Sequence, residues 1–172
     1  QNNPADNIKS PKIEKKAMEY LLPEDIDKLM DLPDDRDKGI RDKAILELLY
    51  ATGIRATELI DMDIADINIR MGFVTCEGEN IRARIIPVGR MARNAVERYV
   101  NESRSRLTRN NEDEKHLFVN FQGKPFTRQG LWKVLKEYGE LAGFSINLTP
   151  QVLRSSFAIH MLQNGADLTS LQ

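Results

Sequence analysis

The stretch Ile67-Asn68-Ile69-Arg70-Met71-Gly72-Phe73-Val74-Thr75-Cys76-Glu77-Gly78-Glu79-Asn80-Ile81-Arg82-Ala83-Arg84-Ile85-Ile86-Pro87 separates this chain from an all-helical protein. Its apolar residues recur every second position, the period of a strand with one buried face. Ile67 and Ile69 alternate with polar neighbours, and Phe73 to Cys76 makes a second β run after Arg70-Met71-Gly72. Ile81, Ala83 and Ile85 then alternate with Arg82 and Arg84, behind the turn residues Glu77-Gly78-Glu79-Asn80. Pro87 closes the third run. The pattern predicts a three-stranded antiparallel meander, apolar on one face and carrying the arginines on the other.

The pattern outside this stretch is mostly helical. Upstream, Ile40, Ala44, Ile45, Leu48 and Leu49 share one helical face that Gly53 ends, and a short helix with Leu59 and Ile60 follows. Pro23, with Glu24 and Asp25 behind it, predicts a helix start and a short helix to about Leu32. Downstream of Gly89, one stripe runs through Ala92, Ala95, Val96, Tyr99, Val100 and Leu107. A short β-like run, Leu117 to Val119, comes next. Thr127 predicts the cap of a helix with the stripe Leu131, Val134, Leu135, Tyr138 and Leu141, stopped by Gly143. Thr149-Pro150 pairs a cap with Pro at the first helical position and starts a helix toward Asn164-Gly165; Asp167 would open another. The expected fold class is α+β, mainly helical, with a small three-stranded antiparallel sheet.

With 172 residues the chain predicts one domain, able to bury roughly 70% of its unfolded surface. Pro4, Pro11 and Pro23, set among Lys and Asn, make residues 1–23 an expected interdomain linker, with the domain proper at 24–172. Gln1 in place of an initiator Met predicts a piece of a longer protein. A single cysteine, Cys76, excludes an internal disulfide framework and a cysteine-based zinc cluster. No apolar run approaches the roughly 18 residues of a membrane span, so a soluble, cytoplasmic setting without membrane contact is the expectation. The net charge of −1 conceals an asymmetry: residues 1–66 hold 10 basic and 16 acidic side chains, and residues 67–172 hold 15 and 10. Eleven of those 15 are Arg, the side chain best shaped for forked phosphate contacts, although an uneven solvated surface reads the same way.

Arg55 follows Gly53 by two residues, at the start of the helix holding Glu58 and Leu59, where unpaired backbone N–H groups and the helix dipole favour an anion. Pairing with Glu58 at i+3 is the plainer alternative. Arg154 lies one turn beyond Thr149-Pro150 and shares its face with Gln151 and Ser155, a second polar cluster near a helix start. Lys124 and Arg128 flank the helix start at Thr127 and are candidate phosphate contacts, as are Arg82 and Arg84 on the third strand. Trp132, followed by Lys133 and Lys136, reads either as packing or as a ligand-contact residue. His160, among Ala158, Ile159 and Met161, reads as a core histidine, and Tyr50, Tyr99 and Tyr138 fit apolar stripes.

The string Ala51-Thr52-Gly53-Ile54-Arg55-Ala56-Thr57-Glu58-Leu59 resembles the first arginine motif of the tyrosine recombinase (phage integrase) family, in its Xer-like branch. Leu148-Thr149-Pro150-Gln151-Val152-Leu153-Arg154-Ser155-Ser156-Phe157-Ala158 resembles the second box, and Asn164-Gly165-Ala166-Asp167-Leu168 continues the match. The resemblance implies phosphoryl transfer on double-stranded DNA by a homo- or hetero-oligomer, with a tyrosine forming a 3′-phosphotyrosine link. Arg55 and Arg154 would hold the non-bridging oxygens, an electrostatic role that needs no metal or other cofactor. It also places the third box and the nucleophilic tyrosine beyond Gln172. Two positions depart from the pattern. Glu79 stands where the family has the lysine that protonates the leaving oxygen, and Gln151 stands where it has a histidine. Ser155 replaces a further histidine. The function implied is the catalytic domain of a site-specific recombinase, with catalytic candidates Arg55, Arg154, Gln151 and Glu79. The alternative is a recombinase-derived protein that binds DNA or a partner recombinase without cutting.

Overall fold

The computed structural model describes residues 18–78 and 81–165. The linker residues 1–17, Glu79, the helix expected from Asp167 and the tail of the second box lie outside the described residues.

Helix α1, Pro23–Met30, begins as its sequence predicts, with Pro23 at the first helical position and the Asp25 carboxylate accepting the Leu22 N–H at 3.2 Å. Helix α2, Asp37–Thr52, is the centre of the molecule. The single stripe read from the sequence understates it: Ile40, Ala44, Ile45, Leu46, Leu48 and Leu49 are all buried, and so are Arg41 and Asp42. The reason is that α1, α7 and the helical segment from residue 90 to 104 all pack on it. Arg41 and Asp42 satisfy each other. Arg41 donates to Asp42 Oδ1 through Nε at 3.1 Å and Nη2 at 2.9 Å, and to the Val119 carbonyl at 3.3 Å. The second carboxylate oxygen accepts from Tyr138 Oη at 2.7 Å and Lys38 Nζ at 3.0 Å.

After α3, Ala56–Asp61, the chain forms β1 (Ile67–Asn68), β2 (Phe73–Gly78) and β3 (Ile81–Pro87) in an antiparallel sheet of order β1-β2-β3. The meander is as expected; the facing of β3 is not. Val74 pairs with Ile86 and Cys76 with Arg84, so Arg84 and Ile86 share the core-facing side with Val74 and Cys76. Directly opposed residues project to the same face, which leaves Ile85 outward and 68% exposed. The apolar period of β3 is thus overridden by an ion pair for Arg84, described below.

Helix α4, Arg90–Arg98, runs into a π-helical turn, Tyr99–Arg104, and a last short piece, α5, Ser105–Leu107. The wider turn lets Tyr99, Ser103 and Arg104 share the buried side, where Tyr99 Oη donates to the Leu117 carbonyl at 2.8 Å. Residues 117–119 are buried but form no strand, only a single bridge between Val119 and Pro125. Helix α6, Arg128–Ala142, is capped by Thr127 Oγ1, which accepts the Gly130 N–H at 3.0 Å. Leu141, expected in its buried stripe, is 70% exposed, and Ala142 is buried instead. At about 100° per residue, position 142 lies nearer than 141 to the centre of the stripe set by Leu131, Val134, Leu135 and Tyr138. Helix α7, Pro150–Gln163, starts on the Thr149 cap as predicted. None of the described helices is long and apolar enough to cross a membrane.

Candidate active site

The end of α2 is built around Gly53. Its φ of 63° is left-handed, which only glycine adopts without strain, and its N–H closes on the Leu49 carbonyl at 3.0 Å. Ile54, buried, then anchors the turn so that Arg55 opens α3 with its side chain exposed. The Arg55 main-chain N–H donates to Glu58 Oε1 at 2.9 Å. Glu58 does not reach the Arg55 guanidinium. Its carboxylate is instead gripped by Arg84, through Nη2 to Oε1 at 2.9 Å and Nη1 to Oε2 at 2.8 Å. Burial pushes the Glu58 carboxyl up, but the hydrogen bonds and charges of Arg84 and Arg55 outweigh it and hold the group below its ordinary value.

On α7, Thr149 Oγ1 accepts the Val152 N–H at 3.1 Å, and Pro150 occupies the first helical position, where no N–H is needed. Gln151 and Arg154 project beyond this cap. Gln151 Nε2 donates to Ser155 Oγ at 3.3 Å, which leaves its amide oxygen and second hydrogen for a ligand. Arg154 is half-buried, and its pKa is lowered by that burial and then by the like charges of Arg55 and Arg84, against the opposing pull of Glu58. Neither Arg55 nor Arg154 has a carboxylate within ion-pair distance among the described residues.

These residues line one cleft of about 160 Å³, together with Arg128 and Trp132 of α6. The first residue of each of three helices borders it: Ala56 of α3, Arg128 of α6 and Pro150 of α7. Three guanidinium groups and the starts of α6 and α7 therefore border one small volume, an arrangement suited to an anion with several oxygens.

The sequence-derived candidates divide accordingly. Arg55, Gln151, Arg154 and Arg128 are brought together. Arg84 stands close by, but its guanidinium is held by Glu58. Arg82 is exposed on β3, and Lys124 is exposed on the turn closed by Asn120; neither lines the cleft. Trp132, left open between packing and contact, is 43% exposed and forms a wall of the cleft. The pairing of Glu58 with Arg84 is absent from the sequence reading, because 26 residues and the reversed facing of β3 separate them. Tyr99 and Tyr138 are buried, and none of the described tyrosines lines the cleft. His160 is buried, as its sequence setting predicts. No group of three His, Cys, Asp or Glu side chains suited to a metal occurs among the described residues.

Residues 19–172 match the model of the phage integrase family. The chain belongs to that family. Tyrosine recombinase XerD of Oceanobacillus iheyensis is 43% identical over 171 residues, covering 99% of this chain and 58% of that protein. Tyrosine recombinase XerC of Roseiflexus castenholzii is 43% identical over 175 residues, covering 100% and 55%. This integrase-family chain thus spans little more than half the length of the curated relatives it matches. Among solved structures, XerA recombinase superposes with a TM-score of 0.77 at 25% identity, over 90% of this chain and 54% of that one. The mainly helical fold with its small sheet is that of a tyrosine recombinase catalytic domain.

Proposed function

We propose that this chain is the phosphate-holding part of a site-specific DNA recombinase, and that its cleft binds the phosphate at which a strand is cut. The observation that carries the reading is the meeting of Arg55 and Arg154, unpaired by any described carboxylate, in one cleft bordered by the starts of α6 and α7. Two guanidinium groups and main-chain dipoles fixed in advance stabilise the extra negative charge of a pentacoordinate phosphorus more than that of the resting diester. Gln151 adds a neutral hydrogen bond to the same oxygens and moves no proton. The reaction assigned is attack of a tyrosine oxygen on phosphorus. A P–O bond to the tyrosine forms, the bond to the 5′-oxygen breaks, and a 3′-phosphotyrosine results. The tyrosine comes from outside the described residues. The partner is double-stranded DNA, approached by an oligomer in the cytoplasm. The membership of the integrase family and the kinship with XerD and XerC support this choice of substrate.

The test is cleavage of a nicked substrate by the parent protein. Arg154→Ala should abolish the covalent protein–DNA adduct while leaving most of the DNA affinity. Unimpaired adduct formation by that variant would remove Arg154 from the reaction. A parent protein that binds DNA and forms no adduct would instead be a non-cutting relative, a reading that Gln151 at a proton-transfer position favours.

A further inference from the structure

We infer that Ser156 and His160 are positioning residues for Arg154, acting by clasping Leu21, ahead of α1, against the far side of α7. The inference rests on the reading of the cleft given above.

Leu21 is buried, and both of its main-chain polar groups are taken by α7. Its N–H donates to Ser156 Oγ at 2.9 Å, and its carbonyl accepts from His160 Nε2 at 2.8 Å. A carbonyl only accepts, so Nε2 carries the hydrogen and Nδ1 of the neutral ring is an acceptor. Tyr50 Oη of α2 lies 2.6 Å from Nδ1 and, with the ring neutral, donates to it. The Ser156 hydroxyl directs its own hydrogen to the Val152 carbonyl at 2.7 Å. Ser156 Oγ both accepts and donates, and Ser156 and His160 are both buried.

Ser156 and His160 are one turn apart on α7. At 100° per residue they lie about 120–180° around the helix from Arg154 and Gln151, which face the cleft. Phe157 packs between these two sides, against Gly53 at the end of α2. The roll and axial position of α7 are thereby fixed at Gly53, at Tyr50 and at Leu21. The third of these comes from the segment leading into the domain. A shift of that segment rotates or slides α7 and carries the Arg154 guanidinium away from Arg55. The clasp makes the placement of residues 18–22 a condition of the arginine pair.

The test uses the parent recombinase with DNA and, in parallel, the 172-residue chain with inorganic phosphate. His160→Phe removes both bonds, while His160→Gln keeps a donor for the Leu21 carbonyl. His160→Phe should speed amide exchange at Leu21 and slow single-turnover cleavage at saturating DNA about tenfold, with the DNA Kd within about twofold. In the shorter chain it should displace the Arg154 Nε–H resonance and weaken its response to phosphate. His160→Gln should recover most of each effect. Should His160→Phe not fold, Ser156→Ala carries the same comparison with the imidazole retained. Faster exchange at Leu21 with unchanged cleavage and an unchanged Arg154 resonance would overturn the inference. So would a parallel fall in cleavage, DNA affinity and melting temperature for both His160 variants, the mark of a role in stability alone. A wild-type parent that never cuts DNA sinks the strand-transfer reading, and the Arg154 resonance then decides the clasp by itself.

Discussion

Phe157 fills the space that a β-carbon on Gly53 would need: its nearest ring atom lies 2.5 Å from that position. The contact brings the helix carrying Arg154 down onto the turn that leads to Arg55. Gly53→Ala should therefore destabilise twice over, by about 1–2 kcal/mol for the left-handed backbone and further through displacement of the ring. Thermal unfolding of Gly53→Ala, Phe157→Ala and the double variant measures it. The double variant should be less impaired than the sum of the singles, since the smaller side chain removes the clash and leaves the backbone strain.

The Glu58–Arg84 pair gives a pH signature. Its folded carboxyl pKa lies below the ordinary 4.5, so the stabilisation is present above that value and is lost as pH falls through the lower folded value. Glu58→Gln should be less stable than wild type near neutral pH, and the gap should close in acid. Urea midpoints for both proteins at pH 7 and at a series of values below 4.5 would show it. A gap that stays constant would mean that Glu58 contributes through shape rather than charge.

Salt dependence of DNA binding sorts the arginines by what holds them. Each phosphate neutralised contributes about 0.9 to the slope of log K against log salt. Arg55 and Arg128 share one phosphate with Arg154, so Arg55→Ala and Arg128→Ala should each lower that slope by at most about one. Arg84→Ala should leave it nearly unchanged and reduce stability instead, because its guanidinium already belongs to Glu58. Fluorescence anisotropy across a salt series distinguishes the two behaviours.

In the core, Asp42 accepts from Arg41, Tyr138 and Lys38 at once. Asp42→Ala leaves a buried guanidinium without its counter-charge and should cost about 3–5 kcal/mol. Tyr138→Phe removes one donor and leaves the carboxylate two others, so about 1–3 kcal/mol is expected. Denaturant unfolding of both variants and their double tests the ordering. Burial and the neighbouring Asp42 carboxylate both push the Tyr138 phenol up, so it stays a donor at neutral pH.

What was legible in the sequence was local. Gly53, Thr127 and Thr149 announce their helix boundaries because the chemistry of stopping and capping acts within four residues. Arg55, Gln151 and Arg154 stood out as site candidates through the two strings that resemble the family's boxes, since a helix start alone suits a surface arginine as well. The features that were not legible depend on distant partners. Arg84 turns toward the core because Glu58 awaits it, so the alternation of β3 points the wrong way. Arg41 and Asp42 sit inside because helices close over both sides of α2, which no stripe on α2 alone announces. The role of Leu21 is equally hidden, since the side chains that hold its backbone come 135 and 139 residues later.

The cleft of Arg55, Arg128, Trp132, Gln151 and Arg154 also has a chemical silence. Guanidinium, indole and carboxamide groups neither gain nor lose a proton across the range in which cells live, and main-chain amides do not either. A phosphodiester held there meets the same electrostatic field at pH 6 as at pH 9, within about the small changes contributed by remote groups. On the proposed reading, the grip on DNA would be uncoupled from proton transfer. Any bend in a plot of cleavage rate against pH would then be a signal from the groups that move protons, heard without interference from the groups that hold the strand.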